Sequence, residues 1–294
     1  MGIMQHIDGV FMLKLGFLGP KGTFSQEAML QYAGGLKDYK AVEYGTINDL
    51  LLSVQDNIID EAVVPIENSL EGAVNATLDM LASEVDVKIK AELAVTIRQN
   101  LLVAKDTDMK DIRCILSHPQ AIGQCRKYID SKFPGVQIKY VYSTAAAAEE
   151  VAGGDGSLAA IGSMAAADVY GLKVLAKDIQ DGDTNITRFV VVSKEDGVRT
   201  GRDKSSIVFS TEDKPGSLYR ILDIFNLWDI NMTRIESRPA KNQLGRYIFF
   251  IDVLGHREDD DLADALKMVR RKVSFYKFLG SYPCLKEGYS AIER

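Results

Sequence analysis

The chain is poor in the residues that build disulfide scaffolds and metal centres: 294 residues carry three cysteines and three histidines. Cys114, Cys125 and Cys284 are odd in number and lack C-x-x-C spacing, which argues for reduced thiols and against a disulfide framework or a zinc site. His6, His118 and His256 are scattered along the chain, which disfavours a histidine-rich metal centre. No apolar run reaches the roughly 18 residues of a bilayer-spanning helix, so no membrane association is expected. The opening MGIMQHIDGV lacks the basic start and small-residue cleavage site of a secretory signal and reads as a short leader. Basic charge is also scarce. Lys and Arg number 35 against 41 Asp and Glu, a net charge of -6, so nothing provides the field that holds a phosphate backbone, and nucleic acid is not an expected partner. What is present is an ordinary globular balance, 46% hydrophobic and 26% charged, expected in the cytoplasm and long enough for about two domains at roughly 150 residues each.

From 12 to 194, short apolar runs alternate with helical periodicity. Strands are expected at 12–18, 61–64, 112–116, 136–141, 158–161 and 188–193. Helices are expected at 25–32, 46–54, 74–81, 119–132, 144–152 and 163–170. Two β-rich stretches, 87–96 and 100–104, separate the first series from the second. Such alternation implies parallel sheets covered on both faces, and two series imply two lobes with a cleft between them. Residues 195–204 are charged, glycine-bearing and free of periodicity, as a linker is. Beyond them, the pattern at 206–210, 216–227, 230–237, 246–253, 259–269 and 273–279 spells βαββαβ, the ferredoxin-like arrangement.

Several short segments carry polar groups where strands meet helices, the places where ligands gather in α/β folds. Gly19-Pro20-Lys21-Gly22-Thr23 leads from a strand into a helix, and its backbone N–H groups suit an anion. Glu67, Asn68 and Ser69 put an acid, an amide and a hydroxyl on consecutive positions after a buried strand. Ser117-His118-Pro119 opens the helix that carries Gln124, with Ser117 as its expected cap. Thr184, Asn185 and Thr187 crowd the entry to a wholly apolar strand, and Arg188 offers a fork for a carboxylate. Near the C-terminus, Pro215-Gly216-Ser217-Leu218 opens a helix, and Glu236-Ser237-Arg238-Pro239 ends a strand. Taken singly, each also reads as a helix cap, a solvated loop or a strand entry.

Their conjunction is specific. GPKGTFSQEA, VPIENSLEGAVNATLDML, SHPQAIGQC and TNITRF, in this order, resemble the prephenate dehydratase family, and PGSL with ESRP resembles a phenylalanine-sensing ACT domain. The likeness runs over about 14–280. It implies an α/β two-lobed, periplasmic-binding-protein-like catalytic domain (12–194), a linker (195–204) and an α+β ferredoxin-like (βαββαβ) ACT regulatory domain (205–282). It implies a lyase without metal or other cofactor that makes phenylpyruvate from prephenate, is regulated by L-phenylalanine, and assembles as a homodimer or homotetramer. The absence of a chorismate-mutase-like segment before the first strand implies the monofunctional form. By the same resemblance, Thr187 is the expected proton donor or leaving-group orienter, and Glu67, Asn68, Ser69 and Gln124 position the ring hydroxyl and carboxylates. Gly22, Thr23 and Arg188 bind substrate. Gly216, Ser217, Leu218, Glu236, Ser237, Arg238 and Pro239 bind the effector, and Tyr219, bulkier than the residue such sensors often carry, reshapes that pocket. Strand alternation aims Arg188 away from Thr187. Two alternatives stay open at this point: a two-lobed ligand binder without catalysis, and an arogenate dehydratase. On the main reading, a chain ended at Ser193 keeps some turnover and loses the effector response.

Overall fold

The structure, a computed structural model, describes residues 12–36, 38–182, 184–240 and 246–285; the short N-terminal leader lies outside them. The first lobe contains β1 (Leu13–Leu18), α1 (Phe24–Ala33), β2 (Tyr39–Tyr44), α2 (Ile47–Gln55), β3 (Glu61–Asn68), β4 (Gly72–Ala73), α3 (Asn75–Asp79) and β5 (Lys88–Thr96). The chain then crosses to a second lobe of β6 (Asn100–Val103), β7 (Cys114–Ser117), α4 (Pro119–Gln124), α5 (Arg126–Lys132), β8 (Gln137–Tyr140), α6 (Thr144–Ala152), β9 (Leu158–Gly162), α7 (Met164–Tyr170) and β10 (Lys173–Ala176). It returns to the first lobe as β11 (Ile186–Ser193). The third unit is β12 (Asp203–Ser210), α8 (Ser217–Leu227), β13 (Met232–Pro239), β14 (Tyr247–Leu254), α9 (Asp260–Lys272) and β15 (Phe275–Pro283). Thr23, Thr46, Ser143 and Ser163 each cap a helix by accepting a backbone N–H from the first turn, the role short hydroxyl side chains fill best. Among the described residues no helix is long and apolar enough to cross a membrane.

The sheets are mixed, where the alternation implied parallel ones. The first lobe runs β2-β1-β3-β11-β5, with β4 on β3. Strands β1, β2 and β3 are parallel, but β11 enters antiparallel between β3 and β5. The second lobe runs β10-β6-β9-β7-β8, its last three strands parallel and β6 and β10 antiparallel. The reason is topological: a chain that crosses between lobes twice must come back against the direction in which it left. Edge strands β2 and β10 escaped the sequence pattern because neither shows strong apolar periodicity, β2 being half exposed and β10 only four residues long. The expected helix 74–81 continues past α3 as a π-helical turn, Met80–Glu84.

The third sheet, β13-β14-β12-β15, is antiparallel and two-faced. Ile207, Phe209, Ile251 and Val253 pack beneath α8 and α9. Their neighbours Val208 and Phe250, with Leu279 and Tyr282, join the core of the first lobe beside Ile89, Val190 and Val192. Period-2 alternation therefore sends half of this sheet into another unit's core. Backbones meet as well. Gly280 has φ +142°, and a Cβ there would lie 2.3 Å from the Ile89 carbonyl oxygen, so only glycine lets β15 cross β5 this closely. The segment expected as a linker is pinned: the Gly197 N–H donates to the Ser281 carbonyl at 2.9 Å, and Asp203 Oδ2 accepts from the N–H groups of Thr200 and Gly201 at 2.9 Å each.

This shared core counts against a self-sufficient chain ended at Ser193. Such a chain would expose Val87, Ile89, Val190 and Val192, all now essentially inaccessible, at about 1.5–3 kcal/mol for each fully exposed side chain. It is expected to lose the cooperative unfolding transition of the full chain in calorimetry; a sharp transition of similar enthalpy per residue would contradict the shared-core description.

Candidate active site

Among the described residues two crossings join the lobes, 97–99 between β5 and β6 and, between β10 and β11, 177–182 with 184–185. Where they pass, a pocket of about 390 Å³ opens between the lobes. Asn68, Pro65 and Ser25 border it from the first lobe; His118, Gln124, Tyr142, Ser143 and Thr144 border it from the second; Gln99, Asn185 and Thr187 form its floor. The N-terminal end of α6 thus lies on the pocket wall.

The floor is a chain of hydrogen-bonded uncharged groups. Asn68 Oδ1 accepts the N–H groups of Leu70 at 2.9 Å and Glu71 at 3.0 Å. Its Nδ2 therefore faces the other way, donating to Thr187 Oγ1 at 2.9 Å and Asn185 Oδ1 at 2.7 Å. Backbone N–H groups can only donate, so the orientation of this amide follows from its partners. Thr187, 9% exposed, accepts that bond, which leaves its own O–H free to turn elsewhere. Asn185 Nδ2 donates to Gln124 Oε1 at 3.1 Å, and Gln99 Nε2 donates to the same oxygen at 3.3 Å. Asn185 and Gln99 are 5% and 3% exposed, so water does not compete for these bonds.

Gln124 is held by a helix break. The segment expected as one helix over 119–132 is two, α4 and α5, parted at Cys125. Asp181 on the second crossing holds both sides of the parting: its N–H donates to the Gln124 carbonyl at 2.7 Å, and its carboxylate accepts the Lys127 N–H of the next helix at 3.1 Å. Burial pushes the Cys125 thiol up to about 12, so it stays an inert apolar filler. His118, not the expected Ser117, caps α4 by accepting the Gln120 N–H at Nδ1. Ser117 is buried and donates to the Ile161 carbonyl.

Other expected site residues lie elsewhere. Glu67 does not border the pocket; it faces Arg234 at 3.3 Å and Arg188 at 3.6 Å. The cause is a bulge. Arg188 pairs with Glu67 but Phe189 pairs with Pro65, so Ile66 is an extra residue in β3. An extra residue shifts the alternation by one, which keeps Pro65 and Asn68 on the pocket side and sends Glu67 behind the sheet. The strand expected over 61–64 runs on through Pro65 to Asn68. Ser69 clasps the strand entry, donating to the Thr184 carbonyl and accepting the Ile186 N–H. Thr23 caps α1, and the Gly22 N–H, expected to receive an anion, is taken by Gln26 Oε1 at 2.6 Å. Gly22 instead docks the lobes: at φ +84° a Cβ would meet Ala166 Cα at 2.9 Å, and its carbonyl accepts from Ser163. Asn185, Gln99 and the 142–144 turn were not singled out as site residues; only Asn185, inside TNITRF, carried a sequence signal.

Arg188 points away from the pocket into the junction with the third unit. It donates to Glu92 Oε2 and Asp252 Oδ2 at 2.8 Å each and to the Tyr282 hydroxyl at 3.0 Å. Burial opposes its charge, but Tyr282, Asp252 and Glu92 outweigh burial and hold it ionised beyond the ordinary guanidinium. For Asp252, burial raises the pKa, and Arg188 and Arg234 more than reverse this, leaving it below the usual aspartate range. Lys204 adds a second cation on Glu92 at 2.8 Å.

Of the expected effector residues, Gly216, Ser217 and Leu218 line a separate cavity of about 390 Å³ with Glu212, Tyr219 and Arg246. Glu236, Ser237, Arg238 and Pro239 do not border it within the chain. They lie on the edge strand β13, where Arg238 reaches Asp79 of the first lobe at 3.1 Å.

Because the Asp252 carboxylate is more acidic folded than unfolded, its contribution is complete above the ordinary aspartate value and is lost as pH falls through the depressed one. Asp252→Asn is expected to cost about 3 kcal/mol at pH 7 by stranding buried cations, and the gap to the unmutated chain is expected to narrow below about pH 4. Thermal unfolding of both chains across pH 3–8 checks this; a gap that widens in acid contradicts it.

Comparison with known proteins agrees with this layout. The family model described as prephenate dehydratase matches residues 15–197, and that described as ACT domain matches 205–270. The chain is 44% identical over 271 residues to the prephenate dehydratase of Methanocaldococcus jannaschii, covering 90% of this chain and 96% of that one. The prephenate dehydratase of Arthrobacter aurescens, solved in complex with L-Phe, superposes with a TM-score of 0.86 at 39% identity, covering 92% and 90% of the two chains. GqqA, solved as a novel type of quorum quenching acylase, superposes at 0.83 with 28% identity over 93% and 98%. With an interlobe pocket in front of β11 and a ferredoxin-like sheet behind it, the chain belongs to the prephenate dehydratase family and carries an ACT domain.

Proposed function

We propose that this chain is a lyase that converts prephenate to phenylpyruvate, carbon dioxide and water in L-phenylalanine biosynthesis, with L-phenylalanine acting back through the ACT domain. The observation that carries the site assignment is the direction of the Asn68–Thr187 hydrogen bond. With Asn68 Nδ2 donating to Thr187 Oγ1, the threonine proton is left for the departing ring hydroxyl. In the reaction the ring carboxylate breaks its C–C bond to leave as carbon dioxide. That electron pair moves through the diene and expels hydroxide from the opposite carbon. Hydroxide gains a proton to become water, and the ring becomes aromatic. Thr187 stabilises the leaving oxygen as charge develops there; a relay through its hydroxyl needs a proton returned from solvent. The remaining groups hold the substrate. The pocket-side end of α6 provides a backbone site for one carboxylate, and Gln124 provides a side-chain amide. A floor of neutral amides leaves the ring carboxylate without a buried cation that would hold back its loss.

The effector reading rests on Gly216–Leu218, which line a cavity at the N-terminal end of α8, the end of a helix that suits an amino-acid carboxylate; the Ser217 N–H is already turned to the Lys214 carbonyl at 3.1 Å. Glu236–Pro239, away from that cavity in one chain, would reach an effector held between two copies. An assembly of two or four chains fits this, and Ile235 and Tyr247, 46% and 49% exposed on adjoining strands, suit such a contact. Arg188, adjacent to Thr187 and bonded to Asp252 on β14, is the route by which the regulatory sheet acts on the catalytic strand. The catalytic portion would span 12–194 and the regulatory portion 205–282, with 195–204 between, in a cytoplasmic enzyme.

The unmutated chain is expected to form phenylpyruvate from prephenate, followed by absorbance, and to turn over arogenate less well; no turnover of either would favour a ligand binder. Thr187→Ala is expected to lower kcat by about 10²–10⁴ with bound substrate retained. Asn68→Leu is expected to lower kcat more than it raises KM, because it misdirects Thr187 without removing it. Arg188→Lys keeps a charge but loses the fork, and is expected to weaken inhibition by L-phenylalanine; an unchanged inhibition curve would remove Arg188 from the route.

A further inference from the structure

We propose that Asn185 is a positioning residue that sets the polarity of the amide chain across the cleft, so that Gln124 presents its NH₂ group, and not its carbonyl, to a substrate carboxylate. This rests on the prephenate reading and adds to it a residue that works only through Gln124. A side-chain amide turned by half a rotation keeps nearly the same shape, so its direction is decided by its partners. The chain has one end that cannot turn. Asn68 Oδ1 is fixed by the Leu70 and Glu71 N–H groups, which only donate. Asn68 Nδ2 then requires an acceptor at Asn185, met by Oδ1 at 2.7 Å. Asn185 in turn offers Nδ2 to Gln124, met by Oε1 at 3.1 Å. Gln124 Oε1 is thereby saturated, receiving Gln99 Nε2 as well at 3.3 Å. Gln124 Nε2 is left as the donor at the pocket wall.

Gln99 shows that this direction is imposed. Its Oε1 is buried without a hydrogen-bond partner, an arrangement that ordinarily calls for an explanation. Reversing the Gln99–Gln124 pair would cure it, since Gln124 Nε2 would then donate to Gln99 Oε1. That reversal would put the Gln124 carbonyl into the cleft, facing an anionic substrate. Only Asn185 opposes it, because two NH₂ groups would then face each other between residues 185 and 124. The orphaned oxygen is the sign that Asn185 overrides the local preference of the glutamine pair.

The test measures KM and kcat for prephenate on the full chain and its variants, with thermal unfolding to confirm folding. Asn185→Asp accepts at both ends and forces Gln124 to reverse, so KM is expected to rise about ten- to a hundredfold, the effect of losing a hydrogen bond to a charged group. Its kcat is expected to stay within about threefold, because Asn68 still directs Thr187. Asn185→Leu is uncharged and leaves the polarity unset; a rise in KM of about two- to fivefold is expected as the competent orientation loses population. Should the Asp variant fail to fold, the Leu variant carries the test. In a Gln124→Leu background, either change is expected to move KM by less than about threefold, as coupled residues do in a double-mutant cycle. An Asp effect undiminished in that background would mean charge repulsion and overturn the proposal, as would a KM indifferent to residue 185 in a chain that does turn over prephenate. No turnover by the unmutated chain would instead overturn the functional reading and this proposal with it.

Discussion

The whole arrangement depends on one strand having two faces. On β11, Thr187, Phe189 and Val191 look toward α1 and the cleft, while Arg188, Val190 and Val192 look toward the third sheet. Both sides are filled. Phe189 and Val191 are at most 2% exposed, as are Val190 and Val192, so the strand cannot rotate or slide without opening a core. A register slip of one residue would exchange the two faces altogether. The pairing with β3 and β5 on either side holds the register that puts a hydroxyl on one side and a guanidinium on the other.

Behind the strand, charge is concentrated and buried; in front of it, the floor is neutral. Glu92 and Asp252 are answered by Arg188 and Lys204, with Tyr282 and Ser206 filling the remaining hydrogen-bonding positions. Ionic clusters of this kind are poor sources of net stability but penalise every alternative packing, because a stranded charge is costly. The cleft floor uses amides and a hydroxyl, whose directions are set by hydrogen-bond partners and not by titration. This separation suits a reaction on a dianion that must lose one of its carboxylates. The cations sit where they fix architecture, out of the path of the carboxylate that has to leave.

The regulatory sheet is no appendage. Val208, Phe250, Leu279 and Tyr282 belong to the same core as α2, α3 and the back of β11, and β15 crosses β5 backbone to backbone at Gly280. A closely packed core responds to displacement by switching arrangement, not by bending gradually. In the regulation proposed above, a change in the pose of this sheet would reach Arg188, which bonds Asp252 on β14, and Thr187 one residue along.

Much of this was legible in the residues alone. The βαββαβ order of the third unit follows from hydrophobic period, and its helix and strand limits fall close to those observed. The placing of Thr187 and Arg188 on opposite sides of one strand follows from period 2. TNITRF, VPIENSLEG and SHPQAIGQ carried the family, and with it Thr187, Asn68 and Gln124 as groups that meet. What the residues did not determine is which of their neighbours meet them. Glu67 is displaced by a single bulged residue, Ile66, which changes side-chain facing without leaving any mark in the pattern of apolar positions. Gly22 lost its expected role because a glutamine four residues on took its N–H. Asn185 and Gln99 entered the site because two crossings pass each other between lobes, a fact of topology. The sequence by itself determined most of the elements, the two-faced strand and the family. Only the tertiary structure decided the direction of each amide and the partner of each charge, because both depend on groups brought together from distant parts of the chain.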